Sequence, residues 1–394
     1  MQSPWWKRIL VVLVGATLLG CSFFLGRWSL SSQGTLFPSP FTQSPEPTEK
    51  PLAKYTLTAL ADYPYQTSPI TIEKILSVND DYSSYLFSYT TVGKKMTGQL
   101  NVPANTAISN PAKVIIMLRG YVPLNIYTTG VGTKNAAAVY AQAGFITIAP
   151  DFFGYGDSDP EPTDTWQARF EKPIVVIELL KSLQTQPLVI PADTTLDSTA
   201  LGGTPKRPLS TTGQTITPTS FGFWGHSNGG QIALSVLEVL NQPFPTTLWA
   251  PVTVPFPYSI LFFSDESDDE GKATRKWISI FEQDYDVFDF SLTQHISRLT
   301  GPLQLHHGTA DEAALTVWSD EFVDKIKAEN LKRTAAQQEL EDSLPATTGA
   351  TATAAAVLDP IDLTYFTYPG ADHNLQPGWD TVVERDLVFF KKFL

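Results

Sequence analysis

Gly225-His226-Ser227-Asn228-Gly229-Gly230 is the stretch on which this chain turns. It reads G-x-S-x-G with one further glycine. Thr219-Ser220-Phe221-Gly222-Phe223-Trp224 precedes it and reads as a short buried strand. Residues 231–240 follow and read as an apolar helix. Strand, sharp Gly-flanked turn and helix together hold a serine exposed at a strand end. The turn strains the serine backbone, so anything larger than hydrogen two residues to either side would collide; Gly225 and Gly229 stand there. The turn also aims the Asn228 N–H at the helix start, where an oxyanion would sit. A plain Gly-rich chain reversal fits the same short pattern, and the flanking strand and helix argue against it.

Outward from this turn, the body alternates strands with helices. Upstream, residues 70–75, 84–89 and 95–102 have strand character, the last two as a hairpin around Gly93. Val114-Ile115-Ile116-Met117-Leu118 is a continuous apolar run, as in a strand buried on both faces. Helices are expected at 135–142, at 164–183 with a break at Pro173, at 313–332 and at 379–393. Further strands are expected at 144–149, 247–252, 303–306 and 362–368. This alternation predicts an α/β fold: a mostly parallel, doubly wound sheet with helices on both faces. Residues 186–218 and 335–356 read as tolerated surface excursions. Residues 255–300 read as a small cap insertion over a pocket. Its aromatics, Trp277, Phe281, Tyr285, Phe288 and Phe290, either line that pocket or pack the cap's own core.

A serine nucleophile needs a base within reach, and the base needs a carboxylate to fix its tautomer. In this fold the acid and then the histidine follow the serine in chain order. Asp311 lies in the loop after the 303–306 strand, and His373 in the loop after the last strand. Loops at the carboxyl ends of parallel strands converge on one crevice. Glu312, Asp320 and Asp372 are rival acids; Asp372, adjacent to His373, would not face it. His226 is expected to point away from the pocket in a structural role. His306 and His307 flank a strand end. The candidate site is therefore Ser227, Asp311 and His373, with the Asn228 N–H as one oxyanion donor. Tyr121, after Leu118-Arg119-Gly120, supplies the second through its N–H or its hydroxyl.

Together these stations resemble the α/β-hydrolase superfamily, and within it the catalytic domain of the prolyl oligopeptidase family of serine peptidases. The resemblance rests on residues 224–230, on His307-Gly308-Thr309-Ala310-Asp311-Glu312, on Tyr368-Pro369-Gly370-Ala371-Asp372-His373-Asn374 and on Asp151-Phe152-Phe153-Gly154-Tyr155-Gly156-Asp157-Ser158. It covers residues 113–394. It implies a Ser-His-Asp enzyme that cleaves peptide bonds through an acyl-enzyme, with small esterases of the same fold as the alternative. The family's usual His-Gly pattern before the oxyanion loop is Arg119-Gly120 here, and Arg119 is expected to hydrogen-bond the loop carbonyls instead. Larger members carry a β-propeller; about 60 residues between the stalk and the first buried strand are too few for two blades. A non-catalytic surface-binding domain on the same scaffold is the alternative from another class.

The net charge of −13, with no basic stripe, excludes nucleic acid as a natural partner. A single cysteine excludes an internal disulfide, and no Cys/His spacing suggests a metal; no cofactor is expected. Lys7-Arg8 precede an apolar run over residues 9–25. Residues 1–28 therefore read as a membrane anchor or signal segment with the body outside the cytoplasm. Leu18-Leu19-Gly20-Cys21 also resembles a lipobox, and a cleaved signal is a third possibility; all three export the body. Residues 29–54 form a Ser/Thr/Pro-rich linker that cannot bury enough apolar surface to fold. The catalytic domain is expected over 55–394, acting on a peptide or a small ester.

Overall fold

The structure, a computed structural model, describes residues 50–104, 111–199, 201, 204–265, 267–343 and 358–394. The anchor segment, Cys21 and the linker up to residue 49 lie outside the described residues. Among the described residues, no helix is long and apolar enough to cross a membrane.

Nine strands form one sheet. In chain order its members are β1 (Thr71–Val78), β2 (Tyr82–Thr91), β3 (Lys94–Pro103), β4 (Ala112–Leu118) and β5 (Ile146–Pro150). A small pair, β6 (Leu188–Ile190) and β7 (Gln214–Ile216), stands apart from it. The sheet continues with β8 (Pro218–His226), β9 (Thr246–Trp249), β10 (Leu303–Gly308) and β11 (Leu363–Tyr368). The spatial order is β1-β2-β3-β5-β4-β8-β9-β10-β11. The first three strands form an antiparallel meander that joins β5, and β5-β4-β8-β9-β10-β11 are all parallel. The order reverses between β4 and β8, which puts a crevice outside their carboxyl ends.

The helices are α1 (Leu57–Ala61), α2 (Lys134–Gln142), α3 (Thr165–Phe170), α4 (Lys172–Thr185), α5 (Asn228–Leu240), α6 (Tyr258–Ser264), α7 (Lys272–Phe281), α8 (Thr316–Ser343) and α9 (Trp379–Phe393). Val114 through Leu118 are entirely buried, as a strand covered on both faces must be. Two cores result. The larger holds α4 and α5 against one face, and the smaller packs α2 and α9 against the other. Burial of Leu234, Val236 and Leu237 on α5 stabilises its seat by roughly 1.5–3 kcal/mol per side chain.

Two stretches differ from the sequence expectation and two follow it. The expected break at Pro173 is found: 164–183 is two helices, because Pro173 can occupy only the first turn of a helix and so starts α4. Residues 186–218 are more than a surface loop: β6 and β7 pair antiparallel, and the buried Asp193 accepts from Tyr85 Oη at 2.7 Å and from the Ser210 N–H at 2.9 Å. The excursion at 335–356 starts as a helix extension, the form open to it in the sequence, since α8 runs to Ser343. Arg333 anchors that extension by donating to the carbonyls of Asp359, Ser297 and Leu299. Residues 50–54, within the expected linker, pack on the body. Leu52 is buried there, and its N–H donates to Tyr285 Oη at 3.0 Å.

Candidate active site

Ser227 sits between β8 and α5 with φ 56° and ψ −124°, a region that a side-chain-bearing residue enters only under constraint. Its N–H donates to the Trp249 carbonyl at 2.9 Å, and its carbonyl accepts from the Val252 and Gly230 N–H groups. The surroundings leave no alternative to glycine. A Cβ on Gly225 would lie 2.7 Å from the Gly229 carbonyl oxygen, and one on Gly229 would overlap the Leu118 carbonyl. The end of β4 thus presses against the turn, and a Cβ on Gly120 would stand 2.8 Å from Ser227 Cβ. This contact brings the residue 120–121 peptide in front of the serine. Among the described residues, neither the Tyr121 N–H nor the Asn228 N–H is spent on a backbone carbonyl. The Tyr121 side chain is exposed.

Asp311 follows β10 and His373 follows β11. His373 Nδ1 lies 2.8 Å from Asp311 Oδ2. A carboxylate only accepts, so Nδ1 carries the proton and Nε2 keeps its lone pair, the tautomer a base requires. Asp311 is firmly held. Its Oδ1 accepts from the Ala313 and Ala314 N–H groups, both at 2.9 Å, and its Oδ2 also meets His307 Nε2 at 3.2 Å. Burial alone would push this carboxyl up. The bonds from His307, from His373 and from the Ala314 N–H outweigh burial and hold it well below the usual carboxylate range. The Ser227 hydroxyl makes no hydrogen bond among the described residues, so the serine–histidine link is open in the resting chain. Such links commonly tighten only when substrate arrives.

The rival acids are committed elsewhere. Asp372 accepts from the N–H groups of Asn374 and Gln376, and Asp320 accepts from Tyr365 Oη. Glu312 is exposed. His226 does not point away from the site as expected. Its Nε2 lies 2.8 Å from the His373 carbonyl oxygen, and the two rings are 4.7 Å apart. Burial and the neighbouring His373 push its pKa down to about 4, so it is neutral near pH 7 and donates Nε2–H to that carbonyl.

Arg119 takes the place expected of it. Its guanidinium donates to the carbonyls of Gly120 at 2.9 Å and Asp151 at 2.7 Å. It lies 4.0 Å from the Tyr155 ring centre and 4.6 Å from that of Tyr127. Tyr155 Oη donates to the Val122 carbonyl at 3.0 Å, so the 151–158 loop and Arg119 together fix the chain just beyond β4.

No family model matches the chain, and no curated protein does. Solved structures do. Acetyl xylan esterase 1 from Thermoanaerobacterium matches at 12% identity over 86% of this chain and 92% of its own, with a TM-score of 0.51. The chain has the α/β-hydrolase fold. S-formylglutathione hydrolase from Agrobacterium tumefaciens matches at 15% identity over 82% of this chain and all of its own, TM-score 0.48. Dipeptidyl peptidase 4 from Porphyromonas gingivalis matches at 14% identity over 84% of this chain but only 36% of its own, TM-score 0.48. At such identities what is shared is the α/β-hydrolase fold.

Within that fold, sequence reasoning missed the second imidazole on Asp311. His307 Nδ1 accepts from Ser319 Oγ at 2.7 Å, while Nε2 faces the Ala314 carbonyl at 2.7 Å besides the Asp311 carboxylate. The one signal for it was its place four residues before Asp311. The cap aromatics mostly pack one another. Phe281, Tyr285 and Phe290 cluster with Phe170 and Phe256, while Trp277 and Phe288 stay exposed. Among the described residues, no His/Cys/Asp/Glu cluster could hold a metal ion. A cavity of about 520 Å³ between Tyr85, Asp193 and Arg207 is lined by none of the site residues.

Proposed function

We propose that this protein is a serine hydrolase that transfers an acyl group to water. The observation that carries the reading is the 2.8 Å Asp311–His373 bond, on the same sheet edge as a serine strained to φ 56°. In the proposed reaction His373 Nε2 takes the Ser227 hydroxyl proton as Oγ attacks a carbonyl carbon. The N–H groups of Asn228 and Tyr121 receive the oxyanion. Asp311 stabilises the imidazolium. His373 then returns the proton to the departing group, and water releases the acyl chain by the same steps in reverse.

Peptide bonds are the proposed substrate, because the motifs around Ser227, Asp311 and His373 are those of the prolyl oligopeptidase resemblance. The second reading is carboxylester hydrolysis. It is favoured by the match to acetyl xylan esterase 1 over nearly that protein's whole length. The proposed setting is outside the cytoplasm, tethered through residues 1–28; the basic-then-apolar pattern supports it.

Labelling with a fluorophosphonate tests the nucleophile without knowledge of the substrate. Ser227 is the expected adduct site, and Ser227→Ala should lose labelling and drop turnover by several orders of magnitude, to about 10³-fold over water at most. An unlabelled wild-type protein would return it to a non-catalytic role. On a panel of peptides and esters, turnover of esters alone would defeat the peptidase reading.

A further inference from the structure

A small cavity lies between the start of α5, the α3–α4 junction and the cap. Asn228 and Gln231 line one side, Arg169 and Lys172 another, and Phe256 and Phe290 supply apolar surface. Asn228 links the two places: it follows Ser227 in the chain, its N–H is the proposed oxyanion donor, and the residue lines the cavity, whereas Ser227 and His373 do not.

Among the described residues neither of its two cations forms an ion pair, although the Glu161 and Glu171 carboxylates lie near enough to favour the Lys172 charge. Arg169 donates only to neutral oxygens, Gln231 Oε1 at 3.3 Å and Ser259 Oγ at 3.1 Å, with its guanidinium 5.9 Å from the Phe256 ring. Lys172 makes no hydrogen bond or ion pair among the described residues. The nearby Glu171 instead accepts from Gln167 at 3.2 Å. This is unusual in a chain with 40 acidic and only 27 basic residues, where a cation readily finds a carboxylate. Burial pushes Arg169 down to about 10, and burial with the Arg169 charge pushes Lys172 down to about 8. Two desolvated like charges cost free energy until an anion joins them. The cavity volume, about 50 Å³, suits a group of roughly three or four heavy atoms.

We propose that this cavity takes a carboxylate carried on the acyl portion of the substrate, held by the Arg169 guanidinium and the Lys172 ammonium. The assignment rests on Ser227 being the nucleophile. It names the substrate class of that site: an acyl group ending in a carboxylate, as an acidic residue before a scissile peptide bond or as a dicarboxylic monoester. Arg169 can present two parallel N–H donors to a carboxylate, and Lys172 acts as a point charge.

The test uses full-length protein and matched probes. The p-nitrophenyl esters of glutarate and of monomethyl glutarate form one pair; the p-nitroanilides of Glu and Gln form the other. We expect the charged member to have a kcat/KM higher by about tenfold or more in at least one pair, which also tells ester from amide. Arg169→Gln and Lys172→Gln should each erase most of that ratio. Lys327→Gln, on an exposed stretch of α8, should leave it unchanged. Calorimetric titration with glutarate, which needs no turnover, should show binding to the wild type that weakens about tenfold in either cavity variant. Unlabelled Ser227 with glutarate binding retained sinks the hydrolase reading and keeps the anion site. Labelled Ser227 with no charge preference and no glutarate binding overturns the anion site and keeps the hydrolase. Lowered thermal stability in the variants with an unchanged ratio shows Arg169 and Lys172 to be structural and overturns it as well.

Discussion

Arg119 shows how one residue sets the geometry of another that never touches it. Its guanidinium fixes two carbonyls and is caged by the Tyr155 and Tyr127 rings, and its Nε is buried without a partner. Releasing it should let the Tyr121 N–H drift from the oxyanion position while leaving Ser227 and His373 in place. Arg119→Met is expected to lower kcat by about 10²-fold with KM little changed, as loss of one oxyanion donor does. Arg119→Lys should recover little, because an ammonium cannot span both carbonyls or stack between the rings. Affinity for a boronic acid that mimics the tetrahedral state should fall in parallel with kcat. A fall in KM-linked binding alone would place Arg119 outside the oxyanion hole.

Among the elements, α5 carries the most conflict. It begins at the nucleophile and is buried almost all round, which leaves Glu238 inside with neither carboxylate oxygen hydrogen-bonded. Burial raises the Glu238 pKa well above the ordinary value, and Arg298 offsets this only in part. The sign follows. A carboxyl with a raised folded-state pKa contributes full stability below its unfolded pKa, about 4.3, and loses it as pH rises through the folded value. Glu238→Met, similar in volume and without the charge, is therefore expected to raise Tm by a few degrees at pH 8 and by much less at pH 4. Equal shifts at both pH values would show that proton linkage is not the cause.

For the whole molecule, the sheet brings residues far apart in sequence to one edge. Ser227, Asp311 and His373 each follow a strand of the parallel set, and residues 255–300 are inserted between β9 and β10. The proposed setting outside the cytoplasm rests on the sequence before Lys50. Intact mass analysis of the mature protein should find residues 1–28 retained. A diacylglyceryl Cys21 as the first residue would replace the anchor with a lipoprotein, and a free N-terminus beyond residue 28 would mean a released enzyme.

The sequence by itself determined the fold class, the strained serine turn and the order of serine, acid and histidine. These are encoded locally: apolar runs mark strands buried on both faces, glycines mark the turn, and each polar station lies within a few residues of a strand end. The break at Pro173 was legible for the same reason, while the pairing of β6 with β7 and the reach of α8 depended on partners distant in the chain. Only the tertiary structure decided that His226 braces His373, that His307 shares Asp311, and that Arg169 and Lys172 face a cavity lined by Asn228 without forming an ion pair. Side-chain direction, burial and the presence or absence of a counter-charge are properties of what packs against a residue, and no spacing within one segment records them.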